Sequence, residues 1–461
     1  MAAATIPKLV ADLQARGLIQ AVTSPSLYQR LHKPITLYTG IDPTANAMHI
    51  GNLMPMMSAL RFMLHGHSVL ALVGGATGAI GDPSGRATER SALSRDVLEH
   101  NNAGITRAVT SFFDRGREFA HTRGLQPTGA ATANGKLSIV NNREWTEQMS
   151  LIDFLGNVGR HARVSTMLHR DSVKSRMETD SGISFTEFTY QLIQANDFYH
   201  LHATRGCELQ IGGSDQWGNI VAGLDLIRRK SGGSTDETDD PTTTAAFGLT
   251  LPLVTTSTGE KFGKSAGNAV WMDPKRTSVF DFYQFFFRAA DAEVAKYLKY
   301  FTLVPVEEIS ELMVRHESAP EARVAQRRLA DEMTELVHSP MDVKRAQVQT
   351  ALLFADSRSS LATAIKEPAA VIEAFQGDPR LVRVAWKDGM TMAELFASVG
   401  ATASKSEAVK LAKRGGLYLN QERVVDALTQ KVTPADLLGG QICLLRTGKA
   451  NYKIAQVIRG L

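Results

Sequence analysis

Residues 38–52 read YTGIDPTANAMHIGN, and within them a β-type run ends, the chain turns and a helical pattern begins. The helix is predicted to start near Gly51, where backbone N–H groups and the helix dipole favour an anionic group. His49 and Asn52 bring further donors to the same place, and glycine at position 51 permits close approach of a ligand. A capped strand-to-helix turn would account for His49 alone, but the combination favours a phosphate-binding site.

The same alternation of β-type runs and helical stretches continues through the first half of the chain. The predicted strands are Ile35–Ile41, Val69–Val73, Leu137–Val140 and Glu208–Ile211, and the predicted helices are Leu53–Leu64 and Ser184–Leu201. Such alternation predicts an α/β fold with a parallel sheet covered by helices. Ligands of these sheets bind at the carboxyl ends of the strands, where glycines stand at Gly40, Gly74-Gly75 and Gly212-Gly213.

The overall composition is that of a folded globular protein. The 461 residues carry 51 Lys and Arg against 47 Asp and Glu, a net charge of +4, and 43% of the residues are apolar, which argues against global disorder. The only two cysteines, Cys207 and Cys443, exclude a disulfide framework and a Cys-based zinc finger and favour a reducing compartment. We expect no membrane partner, since no apolar run approaches the ~20 residues of a membrane span.

Composition divides the chain into four predicted parts. Residues 1–277 form the sheet domain, and residues 278–354 form a helical region interrupted by prolines. Residues 355–385 are expected to be a weakly structured connector, and residues 386–461 a small α/β unit. This last unit has 11 Lys and Arg against 6 Asp and Glu, hence +5, which leaves −1 for the remainder. The local charge favours an RNA partner, although a solvated charged face has the same composition.

Residues 259–265 read GEKFGKS and partly match a Walker A phosphate loop. The two glycines are four positions apart, whereas that motif needs five. A loop that brings Lys261 and Lys264 to a polyphosphate fits the residues better, and a solvated basic turn is the alternative.

One predicted helix presents three polar side chains together. Tyr190, Gln194 and Asp197 fall on one face at i, i+4 and i+7. A phenol, an amide and a carboxylate beside a core suit a small ligand with an amine and a hydroxyl, while a solvent-facing polar stripe has the same spacing. The chain lacks Gly-x-Gly-x-x-Gly and Gly-x-Ser-x-Gly, so a dinucleotide site and a Ser/His/Asp hydrolase are poorly supported.

Taken in order, these segments resemble those of tyrosyl-tRNA synthetases, class I aminoacyl-tRNA synthetases of the bacterial or organellar type, and most of all the fungal mitochondrial members. The shared motifs are YTGIDPTA, VGGATGAIGDPSG, SFTEFTYQLIQANDF and LQIGGSDQWGN. The HIGH-type signature is His49-Ile50-Gly51-Asn52, with Asn52 in the place of the second histidine, and the KMSKS-type signature is Lys261-Phe262-Gly263-Lys264-Ser265. The resemblance implies a Rossmann-like sheet domain with a dimer-interface insertion, an anticodon-side helical domain over 278–354, and a terminal RNA-binding domain like that of ribosomal protein S-four.

The resemblance also implies a two-step reaction. The carboxylate of L-tyrosine attacks the α-phosphate of ATP, and tRNA(Tyr) then takes the tyrosyl group from the adenylate. The nucleophile is already ionised, so catalysis requires positioning and charge stabilisation rather than a base. Mg²⁺ would arrive with ATP, and neither a dedicated metal site nor a tightly bound cofactor is expected.

The implied residues form three sets. The implied catalytic residues are His49, Thr44, Lys261 and Lys264, and the implied ATP site consists of Gly40, Asp42, His49, Gly51, Asn52, Gly213, Asp215, Lys261, Lys264 and Ser265. For tyrosine, Tyr38 and Asp197 are implied at the phenolic hydroxyl, Asp82, Tyr190 and Gln194 at the ammonium group, and Gln216 near the carboxylate. The implied RNA-binding residues are Lys405, Lys410, Lys413 and Arg414.

The resemblance further implies a symmetric homodimer through the region around Phe154–Leu168. Some fungal mitochondrial relatives also help group I introns to fold, so group I intron RNA is an additional or alternative partner. The implied location is the mitochondrial matrix, with the cytoplasm of a bacterium as the alternative. A P-loop NTPase is a third hypothesis, which tyrosine dependence of the ATP chemistry would exclude.

Overall fold

A computed structural model describes residues 6–84, 88, 93–125, 135–180, 182–231, 246–254, 264–265, 268–355, 357–365, 367–449 and 451–458. The chain divides into two compact units, Met1–Val337 and His338–Leu461. This boundary falls inside the region 278–354, and the four-part division from composition stays a prediction.

The first unit is built on a six-stranded sheet with the order β1-β6-β5-β2-β3-β4. Its strands are β1 (Ala21–Val22), β2 (Thr36–Ile41), β3 (Ser68–Val73), β4 (Leu137–Asn141), β5 (Cys207–Gly213) and β6 (Phe247–Leu251). All neighbours are parallel except β1 and β6. The predicted α/β class and its four predicted strands are therefore confirmed. Tyr38 at the centre of β2 stands beside Leu70 on β3 and Gln210 on β5.

Helices cover both faces of this sheet and continue beyond it. They are α1 (Lys8–Ala15), α2 (Ser26–Arg30), α3 (Leu53–Leu64), α4 (Thr77–Ile80), α5 (Arg95–Thr122), α6 (Arg143–Thr146), α7 (Leu151–Asn157), α8 (Val164–Leu168), α9 (Asp171–Met177), α10 (Phe185–Arg205), α11 (Trp217–Lys230), α12 (Val279–Phe287), α13 (Asp291–Phe301), α14 (Val306–Ser318) and α15 (Val324–Val337). Short 3₁₀ turns occur at Ile50–Asn52, Gly159–His161, Ser214–Gln216 and Pro320–Ala322, and a small hairpin joins β7 (Lys264–Ser265) to β8 (Asn268–Ala269).

Two helices, α3 and α10, carry or adjoin the residues of the site. The packing of α3 and the two ends of α10 follow from their sequences. Nearly every residue of α3 is buried, because this helix packs against β2, β3, α5 and α13. Helix α10 begins where the hydroxyl of Ser184 accepts the backbone N–H of Glu187 at 3.2 Å. It ends at Gly206, whose φ of 62° is the left-handed conformation that glycine adopts most readily. The predicted helix from Ser184 is thus confirmed and runs one turn further, to Arg205.

Buried arginines fasten the helical part of the first unit to α3. Arg16, directly after α1, donates to the backbone carbonyl of Val304 at 2.7 Å, and Arg61 on α3 donates to the carbonyl of Tyr300 at 3.3 Å. Tyr300 lies in the last turn of α13, where carbonyls lack partners within the helix, so the guanidinium of Arg61 satisfies one of them. Burial, together with the nearby Arg16, lowers the pKa of Arg61 to about 9.

The second unit packs helices against a five-stranded sheet with the order β11-β10-β12-β13-β9. The helices are α16 (Pro340–Leu353), α17 (Arg358–Ala364), α18 (Pro368–Ala374), α19 (Met392–Ser398) and α20 (Lys405–Lys413), and the strands are β9 (Leu381–Ala385), β10 (Leu417–Leu419), β11 (Glu422–Arg423), β12 (Ile442–Thr447) and β13 (Asn451–Ile458). Its core contains Phe396, Leu445 and Ala455. Asn420 and Gln421, at φ 49° and 67°, form the turn between β10 and β11.

The stretch 355–385 differs from the weakly structured connector expected of it. It contains α17, α18 and β9. Val382 and Val384 on β9 pack on the core of the second unit, and the strand pairs in parallel with β13. The apolar side chains of this short strand find their partners some 70 residues later in the chain, which is why the local pattern is weak.

Candidate functional site

A cavity of about 340 Å³ opens at the carboxyl ends of β2, β3 and β5. Most of the residues that the sequence analysis assigns to tyrosine and ATP line this cavity, namely Tyr38, Gly40, Asp42, Thr44, His49, Asn52, Asp82, Tyr190, Gln194, Asp197, Gly213, Asp215 and Gln216. Residues from four separate stretches of the chain therefore meet at the edge of the sheet where parallel folds bind ligands.

The remaining predicted residues lie apart from this lining. Gly51 is next to the cavity and contributes its backbone N–H to His49. Lys264 and Ser265 form β7, of which the backbone alone is described, and Lys261 lies outside the described residues. Their assignment to ATP therefore stays a prediction.

His49 caps the turn that precedes α3. Its backbone N–H donates to Asn52 Oδ1 at 3.1 Å, and its Nδ1 accepts the backbone N–H of Gly51 at 3.0 Å. Because Nδ1 is an acceptor in this arrangement, the neutral ring carries its proton on Nε2. The reciprocal cap thus leaves the proton of the neutral His49 ring on Nε2, and it assigns the side-chain oxygen of Asn52 to holding the cap.

Asp42 and Tyr190 join the end of β2 to α10. Tyr190 donates its hydroxyl to Asp42 Oδ2 at 3.0 Å, and Thr77 donates to the other oxygen at 2.8 Å. Burial, Asp42 and Asp82 raise the pKa of Tyr190 well above its ordinary value, so it stays a neutral donor. A side chain on Gly74 would overlap Asp42 Oδ1, so only glycine permits this approach.

A second chain of hydrogen bonds links Asp82 to α10 and α11. Gln216 donates to Asp82 Oδ2 at 2.6 Å, and Gln194 donates to Gln216 Oε1 at 3.2 Å. Asn219 on α11 donates to Gln194 Oε1 at 3.1 Å, which fixes the orientation of that amide. A carboxylate and two oriented amides therefore stand on one side of the cavity.

Asp197 lies at the buried end of the cavity. It is 1% exposed and accepts hydrogen bonds from Asn142 Nδ2 at 2.9 Å and Trp145 Nε1 at 2.8 Å. Burial raises the pKa of Asp197 to about 7, although these two hydrogen bonds oppose the rise. Burial and the nearby Asp197 also raise the pKa of Tyr38 well above its ordinary value.

The hydroxyl of Tyr38 is buried and has no hydrogen-bond partner among the residues that the structure describes. A buried polar group without a partner costs on the order of 1–3 kcal/mol, so a ligand that supplies the partner gains that amount. A phenol offers the required donor to Asp197 and an acceptor to Tyr38. This end of the cavity is therefore suited to a ligand hydroxyl.

Sequence reasoning missed Asn142 and Trp145. Asn142 also accepts the N–H of Ala76 at 2.7 Å and donates to Thr77, so it connects the glycine turn after β3 with Asp197. The available signal was its place directly after β4, at the same edge of the sheet as Gly40.

The sequence contains two closely spaced histidine pairs, His65 with His67 and His200 with His202, and one member of each makes a structural contact. Nδ1 of His67 accepts the backbone N–H of Ile35 at 3.2 Å, and burial lowers the pKa of His67 to about 4. Nδ1 of His202 lies 2.8 Å from the carbonyl of Cys207. Across the described part of the chain, the structure has no cluster of three or more His, Cys, Asp and Glu side chains that could hold a metal ion. Over the same part, no helix combines the length and the apolar character that crossing a bilayer requires.

Comparisons with known proteins agree with this chemistry. The family model for class I tRNA synthetases (W and Y) matches residues 29–355, and that for the tyrosine--tRNA ligase SYY-like C-terminal domain matches residues 371–455. The tyrosine--tRNA ligase of Bacteroides thetaiotaomicron is 40% identical over 96% of this chain and 98% of its own, and that of Opitutus terrae is 42% identical over 97% and 99%.

Solved structures give the same result. The C-terminally truncated mitochondrial tyrosyl-tRNA synthetase of Aspergillus nidulans superposes with a TM-score of 0.67 at 35% identity, over 75% of this chain and 94% of its own. The corresponding enzyme of Coccidioides posadasii has a TM-score of 0.64 at 35% identity, over 73% and 90%. Since the matches span both units, the chain belongs to the tyrosine–tRNA ligases, a family of class I aminoacyl-tRNA synthetases.

Proposed function

We propose that this tyrosine–tRNA ligase binds the side chain of L-tyrosine between Tyr38 and Asp197. The observation that carries the proposal is the buried Tyr38 hydroxyl without a described partner, in a cavity that also contains a buried carboxylate. The phenolic hydroxyl of the substrate donates to Asp197 and accepts from Tyr38. Phenylalanine fills the same space but leaves the Tyr38 hydroxyl unpaired and gives Asp197 no further donor, which costs binding free energy.

Tyrosine enzymes of this family are the established example of such selectivity, about 10⁵-fold over phenylalanine without editing. In this chain Asn142 and Trp145 contribute to that selectivity, because their hydrogen bonds hold Asp197 in one orientation and favour its ionised form. The carboxylate of Asp197 is therefore already oriented to accept the hydrogen bond of the ligand hydroxyl.

The ammonium group of the substrate lies beside Asp82 and Gln194 in this proposal, with Tyr190 completing the set. Asp82 provides the negative charge, and the network through Gln216 holds it. The same placement turns the carboxylate of tyrosine toward Gln216 and the mouth of the cavity, where ATP enters.

ATP occupies the outer part of the cavity, between the turn at His49 and the end of β5. His49 donates from Nε2 to a phosphate oxygen, and Thr44 at the rim adds a second donor. Gly40, Asp42, Gly213 and Asp215 face the nucleoside, while Gly51 and Asn52 hold the cap. Lys261, Lys264 and Ser265 complete the phosphate contacts as the resemblance implies. Mg²⁺ enters with ATP as part of the substrate.

The carboxylate of tyrosine attacks the α-phosphate, the bond to pyrophosphate breaks, and tyrosyl-adenylate remains. No protein base is required, because the nucleophile is ionised at neutral pH. Donors such as His49 act on the charge that builds up on the phosphate oxygens. A hydroxyl of the terminal adenosine of tRNA(Tyr) then attacks the carbonyl carbon of the adenylate and releases AMP.

The test is tyrosine- and phenylalanine-dependent ATP–pyrophosphate exchange in Asp197→Ala. We expect the ratio of kcat/KM between the two amino acids to collapse toward one. Tyr199→Phe is the control, since Tyr199 lies outside the lining of the cavity and pairs with Lys230. Unchanged discrimination in folded Asp197→Ala would refute the assigned site.

We also propose a homodimer. Helix α7 and its neighbours expose several large apolar side chains, with Leu151 72%, Ile152 81%, Val164 60% and Phe185 76% exposed. Exposed large apolar side chains of this kind are characteristic of a protein–protein interface, and a second copy of the chain would cover them by symmetry.

For RNA, we propose that α20 of the second unit contacts the backbone of tRNA(Tyr) through Lys410, Lys413 and Arg414, all exposed. Lys405 differs from them, because its ammonium lies 2.8 Å from Glu394 Oε1. This hydrogen bond holds the pKa of Glu394 at about 2, so the ion pair offsets the charge that Lys405 would offer to RNA.

The compartment is a proposal as well. The mitochondrial matrix is supported by the likeness to two fungal mitochondrial enzymes, and the bacterial cytoplasm by relatives at 40–42% identity. Fractionation of the source cells distinguishes the two. Group I intron binding stays a prediction, which a comparison of intron RNA with an unrelated RNA at stated salt would test.

A further inference from the structure

The segment that follows β8 runs alongside the HIGH-type signature. The N–H of Ile50 donates to the carbonyl of Val270 at 3.0 Å, and the N–H of Met272 donates to the carbonyl of Met48 at 2.9 Å. These two bonds flank an antiparallel bridge between His49 and Trp271. In such a bridge the facing residues are a non-hydrogen-bonded pair, whose side chains lie close together on one side.

The rings of His49 and Trp271 are in direct contact. Their centroids are 5.8 Å apart and their planes are inclined at 71°, an edge-to-face arrangement within the favourable range. The other side of the imidazole is fixed by the bond from Gly51 N–H to Nδ1. The cap and the indole together restrict rotation of the imidazole, and they set the direction in which Nε2 donates.

Trp271 is itself held by its neighbours. Its backbone N–H donates to Thr277 Oγ1 at 2.9 Å, and the guanidinium of Arg276 lies 4.4 Å from the centre of its ring. Arg276 also donates to Asn46 Oδ1, and Nδ2 of Asn46 lies 2.8 Å from Nε2 of His100.

Asn46 belongs to the loop that leads into His49, so the contacts close a ring. The path runs from Asn46 through Arg276 and Trp271 to His49, and back along the two intervening residues of the chain. Arg276 is exposed and Trp271 is only half-buried. A contact whose sole role is core packing would bury both groups more deeply.

We propose that Trp271 and Arg276 are positioning residues for His49 in adenylate formation. The inference rests on the proposed contact of His49 with the phosphates of ATP. Trp271 restrains the imidazole plane, and Arg276 holds the indole while it ties the loop at Asn46. Loss of either group lets Nε2 of His49 turn away from the phosphate, and the tyrosine side of the cavity is unaffected.

The experiment is tyrosine-dependent ATP–pyrophosphate exchange in Trp271→Ala, Trp271→Phe and Arg276→Ala, each alone and combined with His49→Ala. We expect Trp271→Ala to lower kcat about 10- to 100-fold, the scale of a misplaced catalytic group, with KM for tyrosine within about twofold. Trp271→Phe keeps an aromatic edge and recovers most of the rate. Arg276→Ala shows a smaller loss in the same direction, and it provides the test if Trp271→Ala fails to fold.

The combined variants separate the inference from the proposal beneath it. In the His49→Ala background we expect Trp271→Ala to have almost no further effect, because its role is exerted through His49. Lys275→Ala is the control. Lys275 is a neighbouring exposed charge that takes part neither in the ring contact between His49 and Trp271 nor in the one between Arg276 and Trp271, so the variant keeps the wild-type rate. Additive losses, or an equal rise in KM for tyrosine, would overturn the inference alone. A fully active His49→Ala would overturn the role proposed for His49.

Discussion

The side-chain amide of Asn142 donates to the carboxylate of Asp197 across 2.9 Å in a fully buried setting. Asn142 follows the edge strand β4 and Asp197 lies on α10, so the bond connects the edge of the sheet to the helix that also brings Tyr190 and Gln194 to the cavity. It also acts on protonation, because it lowers the pKa of Asp197 against the opposing effect of burial.

Replacing Asn142 with Ala should therefore raise the pKa of Asp197 above its value of about 7. A protonated Asp197 no longer accepts the substrate hydroxyl as an anion, so kcat/KM for tyrosine should fall most at low pH. The measurement is the pH profile of kcat/KM between about pH 5.5 and 9. We expect the acidic limb to move to higher pH in Asn142→Ala, with Asn101→Ala, a buried asparagine bonded to Pro43, as the control. A limb that stays in place would show that Asn142 does not tune Asp197.

The raised pKa of Asp197 also predicts a stability effect. The folded protein binds this proton more tightly than the unfolded chain, in which an aspartate has a pKa near 3.9. The group therefore lowers the free energy of unfolding as pH rises from about 4 to about 7, and the whole penalty is present above pH 7.

Asp197→Asn removes that penalty, because it replaces the ionisable acceptor with a neutral amide. We expect the variant to be more stable than the wild type at pH 8, on the order of 1 kcal/mol or more, and nearly equal to it at pH 4. Urea unfolding at the two pH values measures the difference. An equal change at both values would mean that altered packing, rather than ionisation, is responsible.

The sequence predicts which residues meet around the cavity better than it predicts the residues that hold them in place. The alternation of strands and helices is enough to bring Gly40 and Gly213 to one edge of a parallel sheet, and the spacing of Tyr190, Gln194 and Asp197 is enough to put them on one face. Both inferences rest on local periodicity, and the structure places these residues around one cavity.

The residues that hold the cavity lining in place make contacts between distant parts of the chain. Trp145 reaches Asp197 across 52 positions because β4 lies beside β3 in the sheet, and no local pattern encodes that order. Trp271 faces His49 through a single antiparallel bridge, which is too short to have a pattern of its own. Such residues become visible only when the topology is known.

The exposed apolar surface of α7 predicts the effect of a charge on assembly. Ile152→Glu places a carboxylate in an interface that would otherwise exclude water, and burying an unpaired charge is costly. We expect sedimentation equilibrium to show a dimer for the wild type and a monomer for Ile152→Glu. Val314→Glu, at a 69% exposed position on α14, should leave the dimer intact. A monomeric wild type, or a dimeric Ile152→Glu, would argue against this interface.

The charge of α20 leads to a prediction about salt. If Lys410 and Lys413 each neutralise a phosphate, Lys410→Ala/Lys413→Ala releases about two fewer counterions when tRNA(Tyr) binds. The slope of log Kd against log salt should then decrease by about 1.5–2, and tyrosine-dependent pyrophosphate exchange should be unchanged because that step involves no tRNA. The double variant Lys344→Ala/Lys387→Ala removes the same charge from exposed positions outside α20. If both double variants lower the slope equally, the effect reflects net charge, and α20 is not the contact.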